Sequence, residues 1–295
     1  FVQFGKCYSD NAETSDMPCV CGILNSKQAN LESDHIFAPI YAGVRQFAQE
    51  NGIDLIVLSV NSLKSYRDNF GTNFLGVLVL CEYDQELLQQ CLNDCPDLRF
   101  VFINYQFPDF ENTSQQVRAI FNDDFAGGFA AGDFIFSQGY SQPRILSLNL
   151  GSRNYCYRVD GIRLAAQYHG IDWQDHWTWF CPRHMRNDEE HLTLGHDYIT
   201  GLIKDGESVD AVFCTNDLLA CGVASALDQL NLRNQIQVIG YDNVLPYLSQ
   251  NGRFSTVAIH FREMGRRALS MLLNPEGMPK IIRIAPQLLI RQYSL

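Results

Sequence analysis

Short aliphatic runs alternate along this chain with longer stretches whose apolar residues recur every three or four positions. Val20–Leu24 is a continuous apolar run of strand length. After a polar loop over 25–34, Phe37, Ile40, Tyr41, Val44, Phe47 and Ala48 recur at helical spacing, and Asn51-Gly52 supplies a helix stop. Ile53–Val60, Gly76–Leu80 and Phe100–Ile103 are further runs, apolar throughout, as parallel strands covered on both faces require. The spacing then predicts a helix over Asp124–Ser137, closed by Gly139, and a strand over Arg144–Leu150.

From there the cycle restarts. Helices are predicted over Tyr157–Tyr168, Gly195–Lys204, Leu218–Leu230 and Arg262–Leu273. Strands are predicted over Ala211–Cys214 and Gln237–Gly240, and Ile281–Ile284 and Gln287–Arg291 close the chain. Strand, helix, strand repeated twice predicts an α/β fold of two Rossmann-like parallel-sheet lobes. No Gly-, Pro- or Ser-rich linker divides them, so a tight hinge is expected.

Length and composition narrow the function. A chain of 295 residues suits two average domains, and 46% hydrophobic content suits a full-sized core. A net charge of −11 disfavours direct nucleic-acid binding, which needs clustered cations. No apolar run approaches the ~20 residues of a membrane span, so no membrane partner is expected. Ten cysteines lie scattered without a C-x-x-C pair, which points to a reducing, cytoplasmic setting.

Catalytic and metal chemistry find little support. His184, His191 and His196 with Cys181 fall on no single helical face, and read as a solvated loop with no metal. No G-x-S-x-G, phosphate-loop or dinucleotide-binding motif occurs. Asp123 and Asp124 are adjacent, so their side chains diverge and one caps the following helix. A binding protein without enzyme activity or cofactor is expected.

Six phrases, in order, resemble the effector-binding domain of the LacI/GalR family of transcriptional repressors, which has a periplasmic-binding-protein-like fold. They are Asp34-His35-Ile36-Phe37 with Gly43, Asp123-Asp124-x-x-Gly127 with Gly139, and Arg158-x-x-Gly161. The others are Ala211-Val-Phe-Cys-Thr-Asn216-Asp217, Val238-Ile-Gly240-Tyr241-Asp242-Asn243 and Arg262-Glu263-Met264-Gly265-Arg266. The resemblance implies a sugar or sugar-like effector between the lobes, a homodimer, and operator binding through a helix-turn-helix head. Nineteen residues before the first strand are too few for that head, so the chain reads as an effector domain without it. The resemblance also implies three crossings between lobes. It divides the chain into a flexible segment 1–19, an N-terminal lobe of 20–121 plus 260–287, and a C-terminal lobe of 122–257 plus 288–295. A periplasmic sugar-binding protein of an ABC transporter is the alternative on the same fold.

Ligands in open α/β sheets bind beyond the carboxyl ends of strands. Asn104, Asn216 and Asp242 follow strands there, and by the resemblance they meet sugar hydroxyls, although each also suits a turn. By the same resemblance Asp123 joins the site, and Arg158 presents a planar fork to adjacent ligand oxygens. Phe37 offers a wall for a sugar face, or else a core aromatic. Further candidates are Asp34, Ile36, Asn154, and Trp179 or Phe180 as the opposite wall. Asp217 is expected to cap the helix starting at Leu218, leaving Asn216 to face the cleft.

Overall fold

The computed structural model describes residues 18–24, 31, 34–80, 85–104, 116–148, 153–182, 185, 187–244 and 254–291. The first half of the chain forms strands β1 (Cys19–Leu24), β2 (Ile53–Leu58), β3 (Phe74–Val79), β4 (Phe100–Ile103) and β5 (Val117–Asn122). The second forms β6 (Pro143–Ser147), β7 (Thr178–Phe180), β8 (Ala211–Cys214), β9 (Gln237–Asp242) and β10 (Ser255–Ala258). Two short strands follow, β11 (Ile281–Ile284) and β12 (Gln287–Leu289).

Among the described residues these pair into two six-stranded sheets, ordered β11-β5-β4-β3-β1-β2 and β12-β10-β9-β8-β6-β7. Every pairing is parallel except β10 with β12. This is the two-lobed α/β architecture of periplasmic binding proteins. The chain passes from one sheet to the other after Asn122, after Ala258 and after Ile284. β3, β4 and β8 are buried from end to end, which explains their uninterrupted apolar composition.

The helices are α1 (Phe37–Asn51), α2 (Leu63–Phe70), α3 (Gln85–Asp94), α4 (Asp124–Ser137), α5 (Arg153–Tyr168), α6 (Asp188–Lys204), α7 (Asp217–Gln229) and α8 (Phe261–Leu273). They pack in pairs, α1 on α8, α4 on α5 and α6 on α7. The α4–α5 crossing is close because glycines meet there. A Cβ on Gly128 would collide with the Arg158 carbonyl, and one on Gly161 with the Phe125 carbonyl. Arg158 lies on α5 at that crossing. No helix among the described residues is long and apolar enough to cross a membrane.

Several elements differ from their sequence expectation. Helix α6 begins at Asp188, not Gly195, because the Asn187 side chain caps it by accepting the Glu190 N–H at 3.0 Å. His191 and His196 therefore stand on a helix, not in a loop, while His184 lies outside the described residues. Helix α5 starts four residues before Tyr157, at Arg153, which places Asn154 in its first turn. Strand β9 runs on to Asp242, so that residue ends a strand instead of opening a loop. Helices α2 and α3 were not separated by periodicity, and strands β5, β7 and β10, at three to six residues, are too short to give a distinctive period.

Candidate functional site

The parallel strands of each sheet end at one edge. Helix α1 begins above that edge of the first sheet and α6 above that of the second. His35, just before α1, and Asp188, the first residue of α6, approach to 3.1 Å. The Asn122 Nδ2 of β5 also donates to the Tyr241 hydroxyl of β9 at 3.1 Å. The two carboxyl edges thus face each other, with a hinge at one end and a side-chain contact at the mouth.

Arg158 dominates the second lobe's side of this cleft. It is 3% exposed, although arginine is seldom buried without partners. Its Nε donates to Asp124 Oδ1 at 2.8 Å, and its Nη1 lies 3.0 Å from Asp242 Oδ1. The same Nη1 donates to the Thr215 carbonyl. The guanidinium carbon stands 3.7 Å from the centroid of the Tyr241 ring, a cation–π contact. Burial works against its charge, but Asp242 and then Asp124 more than offset this and hold its pKa above the ordinary guanidinium value. Burial raises the Asp242 carboxyl, Arg158 opposes that, and Asp124 raises it further. Asn122 donates to Asp124 at 2.9 Å, while its own Oδ1 is buried without a partner among the described residues.

The strand-to-helix turn after β8 reverses one expectation. Asn216, not Asp217, caps α7, with its Oδ1 accepting the Leu219 N–H at 2.9 Å. Asp217 is instead the first helical residue and is fully buried. Its carboxylate accepts from the Thr256 hydroxyl at 2.6 Å and from the Val244 N–H at 3.1 Å. Burial pushes its pKa up to about 8, with the Thr256 bond opposing and nearby Asp242 adding to the rise.

Other candidates serve local structure in this arrangement. Asp123 caps α4 through the Ala126 N–H at 3.1 Å. Asp34 Oδ1 accepts the N–H groups of Ile36 and Phe37, both at 2.8 Å, and so starts α1. Ile36 and Phe37 are half-buried against the core. Asn104 follows β4 in the left-handed conformation, φ 55°, which suits an asparagine, and its N–H bonds Ile120. Asn154 is half-buried at the start of α5. On β7, Trp179 leans against Tyr198 of α6, with ring centroids 5.7 Å apart. Phe180, the last residue of that strand, packs against the core cluster beneath α4 and α5. Alternate strand residues point to opposite faces, so these two rings serve different surfaces. Arg158, Asp242 and the turn holding Asn216 are thus brought together, whereas Asp34, Asp123 and Trp179 are engaged with their own neighbours.

A sequence profile of the periplasmic binding protein-like domain family matches residues 152–292, which span α5 to β12 and include Arg158, Asn216 and Asp242. Across most of the chain the sequence is similar to the HTH-type transcriptional repressor PurR of Vibrio vulnificus. Identity is 24% over 299 residues, covering 96% of this chain and 85% of that protein. Residues 152–292 carry a periplasmic binding protein-like domain. The chain shares its fold with a LacI-family regulator from Enterococcus faecium with bound ribose, at TM-score 0.68 and 18% identity over 92% of this chain and 97% of that one. It is likewise similar to the lac repressor dimer bound to operator and an anti-inducer, at TM-score 0.70 and 17% identity over 94% of each chain.

Sequence reasoning overlooked four contributors. Asp124 was passed over as the half of a carboxylate pair with no further role, yet it is the one that meets Arg158. Tyr241, beside Asp242, supplies the ring beneath the guanidinium, and an aromatic next to a candidate acid was the signal available for it. Thr215 and Asp217 gave none, since their roles rest on contacts with α5 and β10.

Proposed function

We propose that this chain is the effector-binding and dimerising part of a sugar-responsive transcriptional repressor. A sugar or sugar-like polyol enters between the lobes, and its contacts favour one lobe arrangement over the other. That preference alters operator binding by a helix-turn-helix domain, the coupling being differential affinity for two states. The observation that carries this reading is the buried Arg158–Asp242 pair at the carboxyl edge of the second sheet. A fixed guanidinium beside a carboxylate offers donors and an acceptor to vicinal hydroxyls, and neither group can turn away.

On this reading Arg158 and Asp242 hold hydroxyls, Asn216 and Asn104 add polar contacts from either lobe, and Phe37 covers a face of the ring. Asp123 has a lesser part, since its carboxylate is shared with the α4 terminus. The names of the similar proteins point to regulation of transcription rather than to catalysis or transport. A homodimer formed along the lobe flanks completes the assembly, and the cytoplasm is its setting.

Thermal-shift measurement across a panel of pentoses, hexoses and disaccharides tests the proposal. An effector at 100 times its Kd adds about 2.7 kcal/mol to stability. The shift is expected to vanish in Asp242→Asn and in Arg158→Ala. A sugar-induced shift that survives in both variants overturns the assignment of this site.

A further inference from the structure

The second lobe carries another cavity, at the pole opposite the cleft. It holds about 530 Å³, within the roughly 300–1,000 Å³ range of small-molecule sites. Phe136, Tyr140, Ile171, Gln174, His176 and Trp177 line it. These residues end α4 or precede β6 and β7, so they border the amino edge of the second sheet. Strand β6, five residues and so ~16 Å long, separates this edge from the effector cleft.

Two features point to a ligand and to its chemistry. The walls are rings: Trp177 packs 6.4 Å from Phe136 and 6.4 Å from His176, and Trp173 meets it edge-on at 5.6 Å. Flat apolar walls of this kind suit a planar guest. Trp177 is 4% exposed, and its Nε1–H is buried with no hydrogen-bond partner among the described residues; the Nε1–H of Trp173 shares that state. An unpaired buried donor costs about 1–3 kcal/mol, so a guest that supplies an acceptor to Trp177 gains by relieving it. Indole N–H groups only donate, and their complement is an acceptor.

We propose that this pole is an accessory site for a small, neutral, planar aromatic or heteroaromatic compound bearing a carbonyl or ring-nitrogen acceptor. The guest lies among Phe136, Tyr140 and Trp177, and a small rotation of the Trp177 ring, whose Nε1–H is enclosed beneath that wall, brings this donor to the guest's acceptor. The site does not depend on the effector cleft.

The three tryptophans give three indole N–H signals in a ¹H–¹⁵N spectrum of the intact chain, assigned by Trp→Phe variants. Titration with quinolin-2-one, quinazolin-4-one and nicotinamide is expected to move the Trp173 and Trp177 signals saturably with at least one probe, leaving Trp179 in place. Ser141→Phe, which fills the exposed rim while leaving the Ser141 N–H bond to Asp210 intact, is expected to abolish the movement. A folded Asp242→Asn variant is expected to retain it, which separates this site from the cleft. Indole signals unmoved by all three probes up to their solubility limits, or moved equally in a folded Ser141→Phe variant, overturn the proposal and leave the cavity to water.

Discussion

Arg158 and Asp242 meet at 3.0 Å with both side chains almost wholly buried. The residue before Asp242 is Tyr241, whose ring lies 3.7 Å beneath the same guanidinium. One strand end therefore supplies both the counter-charge and the platform. Asp124 approaches from α4 and completes the clamp, so that Arg158 is oriented before any ligand arrives. A side chain already fixed loses little rotamer entropy on binding, which is the physical basis of preorganised recognition.

Removing Arg158 exposes what the clamp contributes to stability. Arg158→Ala leaves Asp124 and Asp242 buried without a cation, and a loss of about 3–5 kcal/mol is expected. Arg158→Lys is expected to recover only part, because an ammonium cannot span Asp124, Asp242 and the Thr215 carbonyl as a planar fork does. Urea denaturation of the two variants against the parent checks both statements.

Asp217 makes stability depend on pH. Its carboxyl is pushed up to about 8 in the folded chain, against an ordinary value near 4 when unfolded. Between those values the native state holds a proton that the unfolded chain releases. The contribution is therefore complete below about pH 4 and is lost as pH rises through 8. Asp217→Asn keeps an acceptor for the Val244 N–H and an amide for Thr256, and removes the titration. Melting temperatures collected from mildly acidic to mildly alkaline buffer are expected to fall less steeply in the variant.

The cap at Asn216 separates a structural role from a binding one. Asn216→Ala removes the bond to the Leu219 N–H and is expected to cost about 1 kcal/mol. Asn216→Asp keeps a capping oxygen but loses the amide donors, so it is expected to fold as the parent does while binding effector more weakly. Denaturation and effector titration of the same two proteins distinguish the roles.

Neighbouring rings on β7 are expected to behave differently. Trp179 is engaged with Tyr198 on the α6 side, whereas Phe180 ends the strand at the cleft edge. Phe180→Ala is expected to weaken effector binding by about 0.5–1.5 kcal/mol, up to roughly tenfold, and Trp179→Ala to leave it unchanged. Calorimetric titration with the sugar found by thermal shift reads this directly.

The α4–α5 crossing tolerates no side chain at its centre. Gly128→Ala places a methyl group against the Arg158 carbonyl and is expected to cost about 1–3 kcal/mol through overpacking. Because the helices must part to admit it, weaker effector binding is expected alongside a lowered urea midpoint. Wild-type affinity in a destabilised Gly128→Ala protein argues that the crossing does not position Arg158.

Much of the architecture was legible from local chemistry. Continuous aliphatic runs such as Ala211–Cys214 can only be strands covered on both faces, and the 37–51 periodicity ending in Asn51-Gly52 can only pack as a one-sided helix. Arg158, Asn216 and Asp242 were legible as candidates because Asn216 and Asp242 lie at strand ends and all three fall within the phrases that carry the resemblance. Boundaries set by side-chain caps were harder to see. Asn187 followed by Glu190 was the available signal for the true start of α6, and the apolar period, which begins later, concealed it.

What the amino-acid order determined by itself was the alternation of strands and helices, hence two parallel sheets and a cleft at their carboxyl ends. Those features depend on residues near one another in sequence, where periodicity and turn preference act. Only the tertiary structure decided that Asp124 and not Asp123 faces Arg158, and that Asn216 caps α7 while Asp217 goes under with Thr256. It alone left two indole N–H groups at the far pole without acceptors among the described residues. Each of these outcomes turns on which groups share a buried space, and a carboxylate's or an indole's partner there is chosen by packing between segments distant in sequence.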